Sequence, residues 1–281
     1  MSEWRPGPAW LFCPASRPDR YRKALSLADV VILDLEDAVA PEDKAAARIQ
    51  VQLLADAGAL AVDRTVLRLN AAGTADHAAD VKLAAAAGVR VVMLAKTEKP
   101  EDILALDHDV IALAETPRGV ESVASLAAPD NVVAVMWGAD DLVAGLGGVS
   151  SRHPDGTYRD TANYARQRVL ITAKAHGRLA LDGVHMDISD LDGLAAECED
   201  AVAVGFDASV AIHPSQVDVI RASYAPSADA LAWAQRLLAH VGGSRGVATF
   251  EGRMVDGPIF KQAERVLRRA ALAGQAEDDH E

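Results

Sequence analysis

Apolar residues along this chain fall into short runs of strand length, each followed by a longer Ala-rich stretch. Eight such runs stand out: AWLFC (Ala9–Cys13), VVILDLE (Val30–Glu36), TVLRLN (Thr65–Asn70), VRVVMLAK (Val89–Lys96), DVIALAE (Asp109–Glu115), NVVAVMWG (Asn131–Gly138), LALDGV (Leu179–Val184) and ASVAIHP (Ala208–Pro214). Most are continuous rather than alternating, the pattern of parallel strands covered on both faces. Between them lie amphipathic stretches such as DKAAARIQVQLLADAG, which ends on Gly58, a helix stop. Alternating strand and helix signals predict an α/β fold, and eight parallel strands point to a closed (β/α)8 TIM barrel. A doubly wound open sheet is the competing architecture, but no GxGxxG follows the first strand.

After about residue 216 the rhythm changes. PSADALAWAQRLLAHVGGS predicts a helix ending at Gly242–Gly243, GVATFEGRMVDGP a hairpin or loop, and IFKQAERVLRRAAL a final amphipathic helix. The expected organisation is therefore a barrel over 1–216 and a C-terminal helical appendage over 217–281. The appendage carries a lid segment, expected to pack on a neighbouring subunit. The acidic end, AGQAEDDHE, lacks core residues and is expected to fray.

Composition narrows the function classes. Half of the 281 residues are hydrophobic, enough for a sizeable core, and only 4% are aromatic. A net charge of −13 argues against nucleic acid as a partner, which would demand a surplus of Lys and Arg. No apolar run approaches the ~20 residues that cross a bilayer, and the N-terminal MSEWRPGPAWLF does not have the form of a signal peptide. Cys13 and Cys198 form no CxxC pair and read as buried thiols of a reducing cytoplasm.

In a barrel of this kind reactive groups gather at the C-terminal ends of the strands. Those positions hold Asp34, Glu36, Asp37, Arg68, Asn70, Lys96, Glu115, Asp140, Asp141 and His213. Glu115 and Asp141 each follow a strongly apolar run; two carboxylates with little other ligand power suit Mg2+ that keeps several waters. The alternative is that Glu115 caps a helix or pairs with Arg118, and that Asp141 caps the next helix. No HExxH or His/Cys cluster supports zinc. Arg68, inside an apolar strand, requires an anion, either a substrate carboxylate or a structural partner such as Asp34 or Glu36. Lys96 is open to a Schiff-base role, a structural role or a substrate-orienting one. The first loop, PASRPDRYRKA, sets Arg17, Arg20, Arg22 and Lys23 against Asp19, which fits an anionic ligand or a solvated helix face. His213 in AIHPSQ is by itself also compatible with a core histidine.

At these residues a resemblance enters. LFCPASRPDR, VVILDLEDAVAPEDKAAAR, VLRLN, MLAKTE, IALAETPRG, MWGADDL, AIHPSQ and FEGRMVDGPIFKQAE resemble, in order, segments of the citrate lyase beta-subunit-like proteins. These belong with citrate lyase, the malyl-CoA and citramalyl-CoA lyases and the 2-oxo-acid aldolases. The likeness runs from about Trp10 to about Ala270. It implies a (β/α)8 barrel, a homotrimer or dimer of trimers, and Mg2+ at the mouth held by Glu115 and Asp141. It also implies that Arg68 holds the carboxylate of a 2-oxo acid and that Asp256, in GRMVDGP, serves a neighbouring subunit's site. Phe12, Arg20, Lys23, Asp37, Lys96 and His213, with Glu115, complete the expected substrate-binding set. The implied activity is cleavage or formation of a carboxylate-bearing 3-hydroxyacyl-CoA, yielding acetyl-CoA and a 2-oxo acid. A citrate lyase beta subunit acting on an acyl-carrier-protein thioester and a non-catalytic scaffold are the alternatives.

Overall fold

The computed structural model describes residue 4 and residues 6–243 and 246–278. Part of the N-terminal segment read as no signal peptide, and the last three residues of the acidic end, lie outside those described.

The eight apolar runs are the eight strands of a closed parallel barrel, paired in chain order with the last returning to the first. They are β1 (Ala9–Pro14), β2 (Val30–Asp34), β3 (Thr65–Leu69), β4 (Val91–Leu94), β5 (Asp109–Ala114), β6 (Val132–Trp137), β7 (Leu179–Asp182) and β8 (Ala208–Ala211). The helices α1 (Pro18–Leu27), α2 (Lys44–Asp56), α3 (His77–Ala86), α4 (Pro100–Leu104), α5 (Pro117–Ala127), α6 (Ala139–Gly145), α7 (Asp160–Ala175), α8 (Leu191–Val204) and α9 (Val217–Tyr224) form the outer layer.

Strand residues alternate between two cores. Trp10, Ile32, Val66, Met93, Ile111, Leu113, Ala134, Met136, Leu181 and Val210 fill the barrel interior. Their neighbours Leu11, Leu33, Leu67, Val92, Ala112 and Val135 face the helices. Both faces of each strand are thus buried, which is why the runs are continuous rather than alternating. Following the two-residue period outward past the last interior layer brings Phe12, Asp34, Arg68, Glu115 and Gly138 to the C-terminal mouth.

Helix ends follow local chemistry. Thr116 caps α5 by accepting a hydrogen bond from Gly119 N at 3.0 Å, with Pro117 in the first turn. Gly242, with φ +53°, closes α10 (Ala228–Val241) in the left-handed region that favours glycine.

Helix α9, which a division at residue 216 assigns to the appendage, belongs to the barrel: Val217, Ile220 and Tyr224 sit in the core beneath the helices. The appendage proper is α10, a hairpin of β9 (Ala248–Phe250) and β10 (Arg253–Val255), and α11 (Gly257–Asp278). It has its own small core of Ala234, Leu237, Val241, Val255, Phe260, Ala263 and Val266. The last helix continues into the acidic end as far as Asp278 rather than fraying from Ala273.

Among the described residues no helix is long and apolar enough to cross a membrane. Cys13 and Cys198 are buried, unpaired thiols, and burial pushes them up to about 11 and about 12.

Candidate active site

Asp34 and Arg68 are register partners on β2 and β3, and their side chains close a two-point ion pair. Arg68 Nε donates to Asp34 Oδ1 at 2.7 Å and Nη2 to Oδ2 at 2.6 Å. On its other side Nη1 lies 3.2 Å from Glu36 Oε2, and the ring of Phe12 stacks 4.7 Å from the guanidinium carbon. The structural partner that an apolar strand demands of an arginine is therefore present. These carboxylates hold Arg68 above even its ordinary range despite its burial. The group stays charged.

Lys96 occupies the end of β4 with φ +49°, a left-handed conformation uncommon for a residue with a β-carbon. Its ammonium contacts Glu36, lies 3.1 Å from Asp37 Oδ2 and 3.5 Å from Asp141 Oδ1. Burial would lower it, but the carboxylates win and raise it. An ammonium held by three carboxylates is a poor nucleophile, so this geometry disfavours the Schiff-base role.

Glu115 is 3% exposed and, among the described residues, forms no ion pair. Its Oε1 accepts the backbone N–H of Lys96 at 3.0 Å. Burial and the neighbouring charge of Asp141 push it up to about 8. It caps no helix, since Thr116 does that, and Arg118 reaches toward Glu98 at 3.6 Å. Asp141 lies in the first turn of α6, whose cap is Gly138 with no side-chain bond. The helix-capping and Arg118 alternatives thus fall away for both residues.

Could this pair hold a divalent cation? Among the described residues no group of three or more His, Cys, Asp or Glu is arranged around a metal position. Two carboxylates that leave most positions to water are nevertheless the ordinary arrangement for Mg2+. Glu115 is a buried carboxyl short of positive charge, and a hard dication would supply it. The residues fit.

The other expected residues divide. Arg20 and Lys23 are exposed on α1, just beyond the C-terminal end of β1, whereas Arg17 is tied to Asp19 by bonds of 2.9 and 2.7 Å. His213 is exposed, not a core residue; its Nδ1 meets Ser215 Oγ at 2.8 Å and Ser215 N at 3.2 Å, shaping the turn after β8. Asp140 accepts from Ser151 Oγ at 2.8 Å. Asp256 is half-buried between β10 and α11. Two residues on, Pro258 lines a cavity at the N-terminal strand ends, so within one chain Asp256 is not brought to the mouth.

Sequence reasoning missed the support beneath the mouth. Buried Lys44 donates to Leu35 O, Glu36 O and Asn70 Oδ1 at 2.9, 3.0 and 2.7 Å. Asn70 in turn is held by Asp80, which also binds Arg48 at 2.7 Å. This chain fixes the backbone that carries Glu36. Lys44 and Arg48 lie on a predicted helix as ordinary charged residues and Asn70 at the end of a predicted strand, and no local signal in the sequence marks them as one buried network.

Known proteins resemble this chain over most of its length. The sequence profile of the HpcH/HpaI aldolase/citrate lyase family matches residues 9–214. A citrate lyase subunit beta-like protein of Mycobacterium tuberculosis is 53% identical over 95% of this chain and 97% of its own length. The mitochondrial citramalyl-CoA lyase of Rattus norvegicus is 30% identical over 94% of this chain and 86% of its own. A crystal structure of CitE from Mycobacterium tuberculosis, in complex with magnesium, acetoacetate and coenzyme A, superposes with a TM-score of 0.88. It is 52% identical and covers 95% of this chain and 99% of that one.

Proposed function

The chain belongs to the HpcH/HpaI aldolase/citrate lyase family, and on that basis we propose that it is a Mg2+-dependent carbon–carbon lyase acting on CoA thioesters. The substrate is a 3-hydroxyacyl-CoA that bears a carboxylate, of the malyl, citramalyl or citryl type. The products are acetyl-CoA and a 2-oxo acid. The observation that carries this reading is the convergence of Arg68, Lys96, Glu115 and Asp141 on one mouth, with Glu115 lacking a cation. Relatives whose names specify citramalyl-CoA lyase and a CitE structure holding magnesium and coenzyme A support it.

Glu115 and Asp141 would hold the Mg2+. Bound there, the ion supplies Lewis-acid polarisation of the substrate's carboxylate and hydroxyl oxygens. Arg68, anchored by Asp34, presents its remaining N–H bonds to the same carboxylate and offsets the charge that develops on the hydroxyl oxygen. Its stack on Phe12 keeps the guanidinium plane fixed. Lys96 holds Glu36 and Asp37 in place beside it. Arg20 and Lys23 face the solvent at the mouth, where they meet the phosphates of CoA.

In cleavage the hydroxyl gives its proton to water at the mouth, its oxygen becomes the carbonyl of the 2-oxo acid as the carbon–carbon bond breaks, and the electron pair of that bond passes into the thioester as an enolate. That carbon then takes up a proton. Asp256 of a neighbouring subunit is the donor this reading assigns, and in condensation it removes a proton from the acetyl methyl group.

The deciding experiment incubates purified protein with Mg2+ and malyl-, citramalyl- or citryl-CoA and follows acetyl-CoA release. Turnover of at least one ester is expected. Turnover of only a citryl acyl-carrier-protein thioester would make the chain a beta subunit instead. Failure with every thioester would overturn the lyase reading.

A further inference from the structure

A second cavity, of about 1060 Å³, lies at the opposite end of the barrel from the mouth, between the N-terminal strand ends and α11. Trp10, Leu179 and Phe206 line its barrel side. From α11 come Arg265, Arg268 and Arg269, at the three- and four-residue spacings that set side chains on one helix face.

No carboxylate among the described residues is paired with these arginines. Asp207 is, among the described residues, the single carboxylate lining the cavity, and it is engaged by Lys174 and by the backbone N–H of Ala180 at 2.7 Å. Among the described residues none of the three arginines forms an ion pair. The Nε of Arg269 is buried with no hydrogen-bond partner. Burial, with repulsion from Arg265, holds that guanidinium below its ordinary range. Leaving the buried Nε of Arg269 unpaired is costly, and in a chain of net charge −13 three neighbouring guanidinium groups stand out from the rest of the surface.

We propose that this cavity binds a small organic polyanion, its charges on Arg265, Arg268 and Arg269 and its apolar part on Trp10 and Phe206. Guanidinium forks recognise phosphoryl and carboxylate oxygens alike, so the shared chemistry is two or more anionic groups on a compact body. The site is separate from the thioester mouth and does not depend on the reaction assigned there.

The test is calorimetric titration of the full chain, metal-free, with pyrophosphate and with tricarballylate, a tricarboxylate that has no hydroxyl to cleave. Three variants accompany the wild type. Arg268→Ala/Arg269→Ala removes two cavity charges. Arg268→Glu reverses one at an exposed helix position, where folding is not at stake. Arg20→Ala/Lys23→Ala neutralises the mouth. Binding by the wild type is expected, weakened tenfold or more in both cavity variants and unchanged in the mouth variant. Preference for pyrophosphate identifies a phosphorylated ligand, and preference for tricarballylate a polycarboxylate. No binding of either probe would overturn the proposal. So would equal affinity in wild type and cavity variants, or a loss confined to the mouth variant.

Discussion

Gly138 and Glu115 share one space: a β-carbon at position 138 would lie 2.8 Å from Glu115 Oε2 and 2.9 Å from its Cβ. The φ of Gly138 is −128°, which any residue adopts, so the constraint is steric and not conformational. The glycine at the end of β6 is what lets the carboxylate at the end of β5 lie across the mouth. Gly138→Ala should therefore push Glu115 aside while leaving both strands paired. Misplacing a catalytic group by about 1 Å costs roughly 10²-fold in rate. The expected result is a loss of that order in kcat/KM with weaker Mg2+ binding and a nearly unchanged melting temperature. Wild-type activity in this variant would show that Glu115 does not need its present position.

The elevated pKa of Glu115 makes a stability prediction for the metal-free protein. Its carboxyl is raised from 4.5 to about 8, so the folded state keeps a proton that the unfolded chain releases. Stability is then greatest below the unfolded value and falls as pH rises through about 8, by an amount on the order of a few kcal/mol. Denaturant unfolding with EDTA at about pH 5.5 and about pH 8.5 should show this decline. Glu115→Gln should flatten it, and Mg2+ should stabilise the wild type more at the higher pH. Parallel pH profiles for wild type and variant would refute the assignment.

Arg68→Lys separates the two partners of the guanidinium. A lysine keeps the charge but cannot span both oxygens of Asp34, which is 1% exposed. Incomplete pairing of a buried carboxylate costs roughly 1–3 kcal/mol, so the melting temperature should fall. The KM for the carboxylate-bearing substrate should rise as well, by about tenfold or more for a lost charged contact. A fall in stability with unchanged KM would make Arg68 purely structural.

Complementation tests the role of Asp256. Because one chain does not bring this residue to its own mouth, Asp256→Ala and Glu115→Ala should each be inactive alone. Mixed under conditions that exchange subunits, they should recover part of the wild-type rate, since some sites would pair an intact Glu115 with an intact Asp256. Exchange verified by mass spectrometry without recovered activity would remove Asp256 from the reaction.

The barrel was legible in the sequence because strands buried on both faces must be apolar throughout, and eight such runs leave few arrangements open. The mouth residues followed from their place at the ends of those runs. Their interactions were less accessible. That Arg68 would choose Asp34 with both nitrogens depends on the register of β2 against β3, and that Arg17 would be lost to Asp19 depends on the turn into α1. Lys44, Asn70 and Asp80 meet only through tertiary contacts across 26 and 10 residues, and Lys44 buries its ammonium without a carboxylate partner. Helix α9 looked like part of the appendage because a helix after the last strand has the same pattern whether it closes a barrel or begins an extension.

The crowd of charges around Lys96 has a kinetic consequence. Five carboxylates, those of Asp34, Glu36, Asp37, Glu115 and Asp141, meet the two cations Arg68 and Lys96. With a proton on Glu115, the inner cluster still sets four carboxylates against two cations, with Arg20 and Lys23 farther out at the rim. A thioester that brings its own carboxylate is repelled from that inner cluster, and a dication held there would offset most of the repulsion. On this reading an ion held by Glu115 and Asp141 would have to be in place before the substrate carboxylate arrives, an order that initial-rate kinetics at varied Mg2+ would reveal.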